Sequence, residues 1–315
     1  MTLTEFRYVV AVARELHFGR AAQACFVSQP TLSVAIRKLE EELGVVLFER
    51  SQNDISITPI GIRIVDQARK ILAETETLKH LAQLGQDPFK EPLRLGVIHT
   101  IGPYLLPHVV PALHRKAPTL PLHIEESMTA PLSELLKTGE LDVVLLSLPF
   151  DEPGITVAPL YDEPFQVVMP KGHALEAKQF IDVHDLAHET ALLLGVGHCF
   201  RDQILDFCPE LNRRQGFSTD ARKVLQGGSL ETIRLMVASG AGISVFPCTA
   251  LSAPNHHHKL LSVRPFSDPV PMRRVALAWR RSSPRQQVFQ LLAEIIKLWA
   301  SPCINMVTDT TSNSP

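Results

Sequence analysis

Residues 18–44, which read FGRAAQACFVSQPTLSVAIRKLEEELG, decide the fold of the first part of the chain. The pattern predicts two short helices joined by a tight turn at residues 25–28. Ser28 is suited to cap the second helix, Pro30 falls in the first turn, where a missing N–H costs nothing, and Gly44 ends the helix. This stretch therefore predicts a helix-turn-helix.

The flanking sequence completes a small DNA-binding unit. Apolar residues at helical spacing predict a preceding helix capped by Thr4, and the alternation over residues 45–58 predicts a β-hairpin wing. Residues 16–39 carry three basic side chains and no carboxylate, whereas the whole chain has 31 basic and 33 acidic residues and a net charge of −2. Because a helix-turn-helix places its second helix in the major groove, residues 1–58 are predicted to bind DNA. The competing interpretation is an ordinary three-helix packing unit.

The composition is that of an ordinary globular protein. The chain has 315 residues, 45% hydrophobic and 20% charged, enough for about two domains. No apolar run reaches the ~20 residues that span a bilayer, and the first residues lack a signal-peptide pattern, so a cytoplasmic protein without a membrane segment is predicted. Five cysteines are too scattered for a disulfide framework. Thiols are therefore expected, and any disulfide should be transient.

Two further regions follow the first domain. Apolar residues at helical spacing predict a long helix whose stripe the first domain is too small to cover, so residues 59–90 are predicted to be a dimerisation linker and hinge. Strands and helices alternate over residues 91–302, which predicts an α/β domain in two halves with a ligand cleft between them. The polar composition of residues 303–315 predicts a disordered tail.

Two cysteines near the middle of that domain have a setting suited to redox chemistry. Cys199 is predicted to begin a helix beside His198 and Arg201, where the positive helix end favours a thiolate. In a continuous helix, Cys208 would lie about 13–14 Å from Cys199. A disulfide needs the Cα atoms within about 7 Å, so the bond would require the helix to unravel. From these residues alone, two packing cysteines are the favoured interpretation.

The remaining candidates have plainer explanations. Cys25 is predicted to pack in the helix-turn-helix core, and Cys248 and Cys303 are predicted to be inert thiols. His256, His257 and His258 fit a solvated loop, because adjacent residues cannot all face one tetrahedral metal ion. No nucleophile elbow or phosphate-binding loop is present, so no metal, cofactor or enzymatic apparatus is predicted.

The N-terminal motifs resemble the signature of LysR-type transcriptional regulators. They are FGRAA at 18–22, VSQPTLS at 27–33, IRKLEEELGV at 36–45, LFER at 47–50 and TPIG at 58–61. The resemblance implies an N-terminal winged helix-turn-helix, a long linker helix and a C-terminal two-subdomain α/β regulatory domain of periplasmic-binding-protein type. It also implies promoter DNA and RNA polymerase as partners and a homodimer that assembles into a homotetramer. The DNA-binding residues that it implies are Ser28, Gln29, Pro30, Thr31, Ser33, Arg37 and Arg50.

The second half resembles the hydrogen-peroxide-sensing members of the same family. The matching segments are residues 100–108, 162–164, 197–208, 229–232 and 240–243, whereas the stretch between Cys208 and Ser229 is longer than expected. The resemblance makes Cys199 the peroxidatic and Cys208 the resolving cysteine of a reversible disulfide, reset by a glutaredoxin- or thioredoxin-type reductant. The peroxide-binding residues that it implies are Thr100, Thr129, His198, Arg201 and Asp202. Independently, Thr100 and Thr129 fall at the carboxyl ends of predicted parallel strands, where ligands bind.

The sequence leaves three candidate functions. The first is an activator of oxidative-stress genes that responds to hydrogen peroxide through the two cysteines. The second is a LysR-type regulator triggered by a metabolite in the cleft, with both cysteines as bystanders. The third, a thiol peroxidase, has no use for the helix-turn-helix in residues 1–58, so we do not expect an enzyme.

Overall fold

The structure is a computed structural model and describes residues 1–50, 55–82, 88–209, 211, 225–252, 259–299 and 301–307. The chain forms two compact units, one mainly of residues 1–86 and the other mainly of residues 87–315. Among the helices in these ranges, none is long and apolar enough to cross a membrane.

The N-terminal unit is a winged helix-turn-helix followed by a long helix. Its elements are α1 (Leu3–Glu15), α2 (Phe18–Ala24), α3 (Gln29–Leu43), β1 (Phe48–Arg50), β2 (Ile55–Ile57) and α4 (Pro59–Ala82). The predicted wing is confirmed, because β1 and β2 pair antiparallel with Phe48 opposite Ile57. The predicted Thr4 cap is wrong: Thr2 caps α1, accepting a hydrogen bond from the Glu5 N–H while the Glu5 carboxylate accepts one from the Thr2 N–H.

The long helix α4 presents two apolar rows. Val65, Ala68 and Leu72 are buried, the last two in a small cluster with Val10 of α1. A second row, spaced by four and seven residues, consists of the exposed Ile60 and Leu78 and the half-buried Ile64 and Ile71. The first domain therefore covers only part of the stripe, as the sequence led us to expect.

The second unit alternates strands and helices. Its elements are β3 (Leu93–Ile98), α5 (Gly102–Lys116), β4 (Leu122–Ser127), α6 (Thr129–Thr138), β5 (Val143–Ser147), β6 (Ile155–Pro170), a 3-10 turn (Ala174–Ala177), α7 (Val183–Leu186), β7 (Ala191–Leu194), α8 (Cys199–Phe207), β8 (Leu225–Gly227), α9 (Leu230–Ala238), β9 (Ile243–Pro247), α10 (Thr249–Ser252), β10 (Leu261–Pro265), β11 (Met272–Arg280), α11 (Gln286–Lys297) and β12 (Asn305–Met306).

These strands build two sheets that share β6. In subdomain I the strand order is β4-β3-β5-β11-β6, with β3 parallel to β4 and β5, and with β11 antiparallel to residues 155–164 of β6. In subdomain II, residues 165–170 of β6 pair with β9 and β10, and β7 lies parallel to β8 and β9. The predicted halves are confirmed, and each has its own apolar core.

The C-terminal end corrects the prediction of a disordered tail over residues 303–315. Asn305 and Met306 form β12 and pair with Asp162 and Tyr161 of β6. Ile304 and Met306 pack against the core of subdomain I, so these apolar side chains fix the segment. Residues 308–315 lie outside the described residues.

The other correction concerns two cysteines that the sequence predicted to be inert thiols. Cys248 and Cys303 form a disulfide, with Cα atoms 6.1 Å apart and a separation of 55 positions in the sequence. Such a separation gives no local signal, because only the paired strands bring the two residues together. The predicted loop at residues 256–258 lies outside the described residues, as do residues 212–224 of the unexpectedly long stretch.

Candidate functional site

The first candidate surface is the exposed face at the beginning of α3. Ser28 caps the helix as predicted, and its hydroxyl accepts a hydrogen bond from the Thr31 N–H at 3.3 Å. Leu32, Ile36 and Leu39 are fully buried, which turns the opposite face outward. The predicted contact residues on α3 and at its cap are all exposed except Ser33, which is half-buried: Ser28, Gln29, Pro30, Thr31, Ser33 and Arg37.

The same face carries a residue that the sequence analysis did not single out. Val34 is 68% exposed and lies one helical turn from both Thr31 and Arg37. The sequence could have indicated Val34, because it is an apolar residue that lies outside the helical stripe of Leu32 and Ile36. An amide, a hydroxyl, a guanidinium and a small apolar group are together the side chains that read base edges and the thymine methyl in the major groove.

Glu40, the first residue of the acidic run 40–42 near the end of α3, has a structural role. One Glu40 carboxylate oxygen accepts hydrogen bonds from the N–H groups of Leu47 and Phe48, at 2.7 and 3.2 Å. This contact fixes the start of the wing on α3, and Arg50 ends β1 opposite Ile55. In the turn before α3, Cys25 packs against the core as predicted, and burial raises the pKa of its thiol.

The second candidate site is built on the loop before α8. Gly197 has a φ of +98°, and a Cβ there would lie 2.7 Å from the Met128 sulfur. Only glycine meets both conditions without strain. The loop of subdomain II thereby lies against the residue that precedes Thr129 in subdomain I.

Cys199 is the first residue of α8. It is half-buried and packs against the core of subdomain I, and His198 occupies the N-cap position without a side-chain capping bond. Arg201 is buried and donates a hydrogen bond to the Leu194 carbonyl at 3.1 Å, which anchors α8 on β7. Asp202 is exposed in the first turn, where the helix dipole favours a carboxylate.

His198 has a neighbour that the sequence analysis missed. The rings of His99 and His198 meet edge to face, with centroids 5.5 Å apart. Burial, and then the proximity of His99, lowers the pKa of His198, which favours the neutral imidazole. The His99 Nδ1 atom is buried and has no hydrogen-bond partner among the residues that the structure describes.

Thr100 is fixed by a buried ion pair that the sequence analysis also missed. Arg273 donates one hydrogen bond to the Thr100 hydroxyl at 2.7 Å and another to its carbonyl at 2.9 Å. The same guanidinium pairs with Glu163 at 2.7 Å, both side chains being fully buried, and lies 5.3 Å from the ring centroid of Phe200. Arg273 therefore joins Thr100 to the residue after Cys199.

Thr129 begins α6, and its hydroxyl is buried without a hydrogen-bond partner in the described part of the chain. Buried polar groups are normally hydrogen-bonded, so this hydroxyl has capacity for one further polar contact. The predicted peroxide residues also include the hydroxyl of Thr100, which is held by Arg273, and the imidazole of His198, which lies against His99.

Cys208 lies at the other end of α8 and is fully buried in the core of subdomain II. Its sulfur is 3.7 Å from the Val183 carbonyl oxygen. Cys199 is the first of the nine residues of α8 and Cys208 follows the last, which corresponds to a distance of about 13–14 Å between their Cα atoms. Both cysteines are thiols here, and the predicted intact helix between them is confirmed.

Both parts of the chain match models of one family. Residues 3–62 match the bacterial regulatory helix-turn-helix protein of the lysR family, and residues 86–300 match the LysR substrate binding domain. The second match alone covers more than half of the chain.

Relatives and solved structures show to which members of this family the chain is similar. The chain is 39% identical over 297 residues to the DNA-binding transcriptional dual regulator OxyR of Escherichia coli K12, covering 94% of this chain and 95% of that protein. A full-length cysteine-to-aspartate variant of OxyR from Pseudomonas aeruginosa matches with a TM-score of 0.71 and 47% identity, over 100% and 99% of the two chains. A cysteine-to-serine variant of Corynebacterium glutamicum OxyR with hydrogen peroxide bound matches with a TM-score of 0.59 and 34% identity, over 94% and 91%. The chain belongs to the LysR family of transcriptional regulators and, within it, to the OxyR proteins.

Proposed function

We propose that this protein is a hydrogen-peroxide-responsive regulator of transcription, switched by a reversible Cys199–Cys208 disulfide. The observation that carries the proposal is the placement of two thiols at the ends of one short helix, each in the core of a different subdomain. A bond between them must rearrange both subdomains. The E. coli relative is a DNA-binding regulator and the C. glutamicum relative binds hydrogen peroxide, which supports this assignment.

The first chemical step takes place at Cys199. Its thiolate attacks one peroxide oxygen, the S–O bond forms as the O–O bond breaks, and the leaving hydroxide takes up a proton as water. Thr129 and His198 are proposed to hold the peroxide, and Thr100 to line the site in the orientation that Arg273 imposes. Arg201 supports the site by anchoring α8 on β7. The exposed Asp202 carboxylate stabilises the first turn of α8 through the helix dipole.

The second step closes the disulfide. The Cys208 sulfur attacks the sulfenic acid of Cys199, the S–S bond forms, and the hydroxyl group leaves as a second water. Because the two ends of α8 are too far apart, the helix must unravel before the sulfurs meet. Gln203 then loses its hydrogen bonds to Ser147 and Leu148, each 2.9 Å long, which tie α8 to subdomain I.

The rearrangement reaches DNA through the assembly. We propose that two chains pair through the exposed row on α4, that dimers form a tetramer, and that α3 and the wing, including Arg50, bind promoter DNA. The altered regulatory domain would then present a different surface to RNA polymerase on oxidative-stress promoters. Peroxide acts as the signal, and the output of the reaction is altered DNA binding, so we propose that the protein works as a switch and not as an enzyme.

The setting of this switch is a compartment rich in thiols. A regulator that binds chromosomal DNA acts in the cytoplasm, where a dithiol protein of glutaredoxin or thioredoxin type returns both cysteines to thiols. No bound cofactor is needed, because peroxide supplies the oxidising equivalents and the reductant supplies the electrons.

The experiment is peptide mapping of the full-length protein after reduction and treatment with one equivalent of hydrogen peroxide. We expect a sulfenic acid at Cys199 first and a Cys199–Cys208 cross-link second, with binding to an operator selected from random DNA changing in step. Cys199→Ser should abolish the response, Cys208→Ser should trap the sulfenic acid, and the control Cys25→Ser should behave like the wild type. Cys199 unmodified in the mapped protein would overturn the proposal.

A further inference from the structure

A second pair of cysteines lies outside the site described above. Cys248 follows β9 and is 1% exposed, whereas Cys303 is half-buried in the segment before β12. The two are joined by a disulfide. Neither residue is used by the proposed peroxide response.

This bond crosses the junction of the two subdomains. The segment of Cys303 is held on the subdomain I half of β6, where β12 pairs with Tyr161 and the Val307 N–H donates to the Leu160 carbonyl at 3.0 Å. Cys248 directly follows β9 of subdomain II, whose last residue Pro247 pairs with Phe165, and the Cys248 N–H donates to the Pro164 carbonyl at the boundary between the two halves of β6. The disulfide therefore ties residues 301–307 from one subdomain to the other.

The surroundings of the two sulfurs suit both the bonded and the reduced state. The Ser301 hydroxyl lies 3.5 Å from the Cys303 sulfur and can donate to a thiolate there, whereas the Ser252 hydroxyl, 3.6 Å from that sulfur, donates to the Cys248 carbonyl at 3.1 Å. The Cys248 sulfur is 3.1 Å from the Cys303 carbonyl oxygen, so a reduced Cys248 thiol has a hydrogen-bond acceptor in place. Cys303 is the more exposed residue and has a nearby donor, so an oxidant reacts with it first.

We propose that Cys248 and Cys303 are a second redox pair, oxidised by hydrogen peroxide, whose disulfide clasps residues 301–307 across the subdomain junction. Peroxide converts the Cys303 thiol to a sulfenic acid with release of one water. The Cys248 sulfur then attacks the Cys303 sulfur, and the hydroxyl leaves as a second water. A dithiol reductant reverses the bond by exchange.

The clasp ends beside the network that fixes the peroxide site. Thr249, the residue after Cys248, donates its N–H to Glu163 at 3.0 Å, and Glu163 pairs with Arg273, which holds Thr100. Closing the clasp stiffens this junction, and opening it leaves residues 301–307 attached to subdomain I alone, by the β12 pairing and the packing of Ile304 and Met306. The pair thus sets how firmly the two subdomains are joined while Cys199 and Cys208 react.

The first test maps disulfides in the full-length protein. Reduced wild type and the Cys199→Ser/Cys208→Ser variant are titrated with hydrogen peroxide, alkylated and digested. A Cys248–Cys303 peptide in both proteins, lost again with a thioredoxin-type dithiol, is the expected result, and it stands even if the Cys199–Cys208 switch fails. Alkylated Cys248 and Cys303 at every peroxide dose would overturn the proposal, as would a bond that the dithiol cannot open in the native protein.

The second test measures amide hydrogen exchange at residues 302–307 and 160–162. Reduction of the disulfide, or the substitution Cys303→Ser, should speed amide exchange there by about tenfold. The reason is that the cross-link no longer opposes local opening of this segment. Cys25→Ser, a substitution of a thiol outside the junction, should leave this exchange unchanged. Equal exchange in the bonded wild type and in Cys303→Ser would show that no clasp operates.

Discussion

Cys199 and Cys208 mark the two ends of α8 and lie in the cores of different subdomains. The Cys199 side chain packs against the core of subdomain I, whereas Cys208 is fully buried in the core of subdomain II. The helix between them keeps the sulfurs much farther apart than a disulfide allows. The barrier to the switch is therefore the stability of α8 and of its attachments.

The attachment of α8 to subdomain I can be weakened at Gln203. Gln203→Met keeps the volume but removes the hydrogen bonds to Ser147 and Leu148, which contribute about 0.5–1.5 kcal/mol each. The thiol–disulfide equilibrium in a glutathione buffer should shift about tenfold toward the Cys199–Cys208 bond. Asp206→Asn, an exposed change on the same helix, is the control, and an unchanged equilibrium in Gln203→Met would contradict the role of this attachment.

The buried pair of Arg273 and Glu163 should matter far more than its exposed neighbour. Arg273→Met leaves the Glu163 carboxylate buried without its cation, which should lower the free energy of unfolding by about 3–5 kcal/mol. Arg274→Met removes an exposed pair with Asp162 and should lower the free energy of unfolding far less, because exposed ion pairs contribute little to stability. Urea unfolding measures both, and Arg273→Met/Glu163→Gln should recover much of the loss. Equal losses of unfolding free energy in Arg273→Met and Arg274→Met would contradict the greater importance of the buried ion pair.

The exposed face of α3 predicts how operator binding responds to mutation. Arg37→Ala should weaken binding by about 1–3 kcal/mol, and a salt slope lowered by about one would identify a phosphate partner instead of a base. Val34→Ser should reduce the preference for thymine at one position, because it removes an apolar contact. Glu41→Ala, near the opposite end of α3, is the control. Unchanged affinity in the alanine variants of Gln29, Thr31 and Arg37 alike would exclude this face.

The second apolar row of α4 predicts the dimer contact. Ile71→Lys with Leu78→Lys places two charges in the row that the proposed dimer buries. The variant should therefore sediment as a monomer and lose operator binding. Ile64 contacts the helix-turn-helix core, and a lysine there would also damage the fold. Asp66→Lys adds the same charge on another face and should stay dimeric. An intact dimer in the double variant would place the contact elsewhere.

Local signals explain what the sequence could predict. Ser28 and Gly44 bound α3 as expected because caps and left-handed glycines act within a few residues. The cap of α1 was assigned to the wrong threonine, since two lie within three positions and only the bond to Glu5 distinguishes them.

Distant contacts explain what it could not. Glu163 and Arg273 are 110 residues apart, and Cys248 and Cys303 are 55 apart, so no spacing rule connects them. The buried Thr129 hydroxyl became informative only once its surroundings were known. Sequence resemblance named Thr100, but the arginine that orients it emerged from the fold of β6 and β11.

The Cys199–Cys208 bond and an intact α8 exclude each other. Amide exchange at residues 203–208, measured on the full-length protein before and after peroxide treatment, tests this relationship. The amides should be protected in the reduced protein, including the Cys208 N–H that donates to the Ile204 carbonyl, and should exchange at a near-unfolded rate once the bond has formed. A protein in which peptide mapping finds the Cys199–Cys208 bond while these amides stay protected would contradict it.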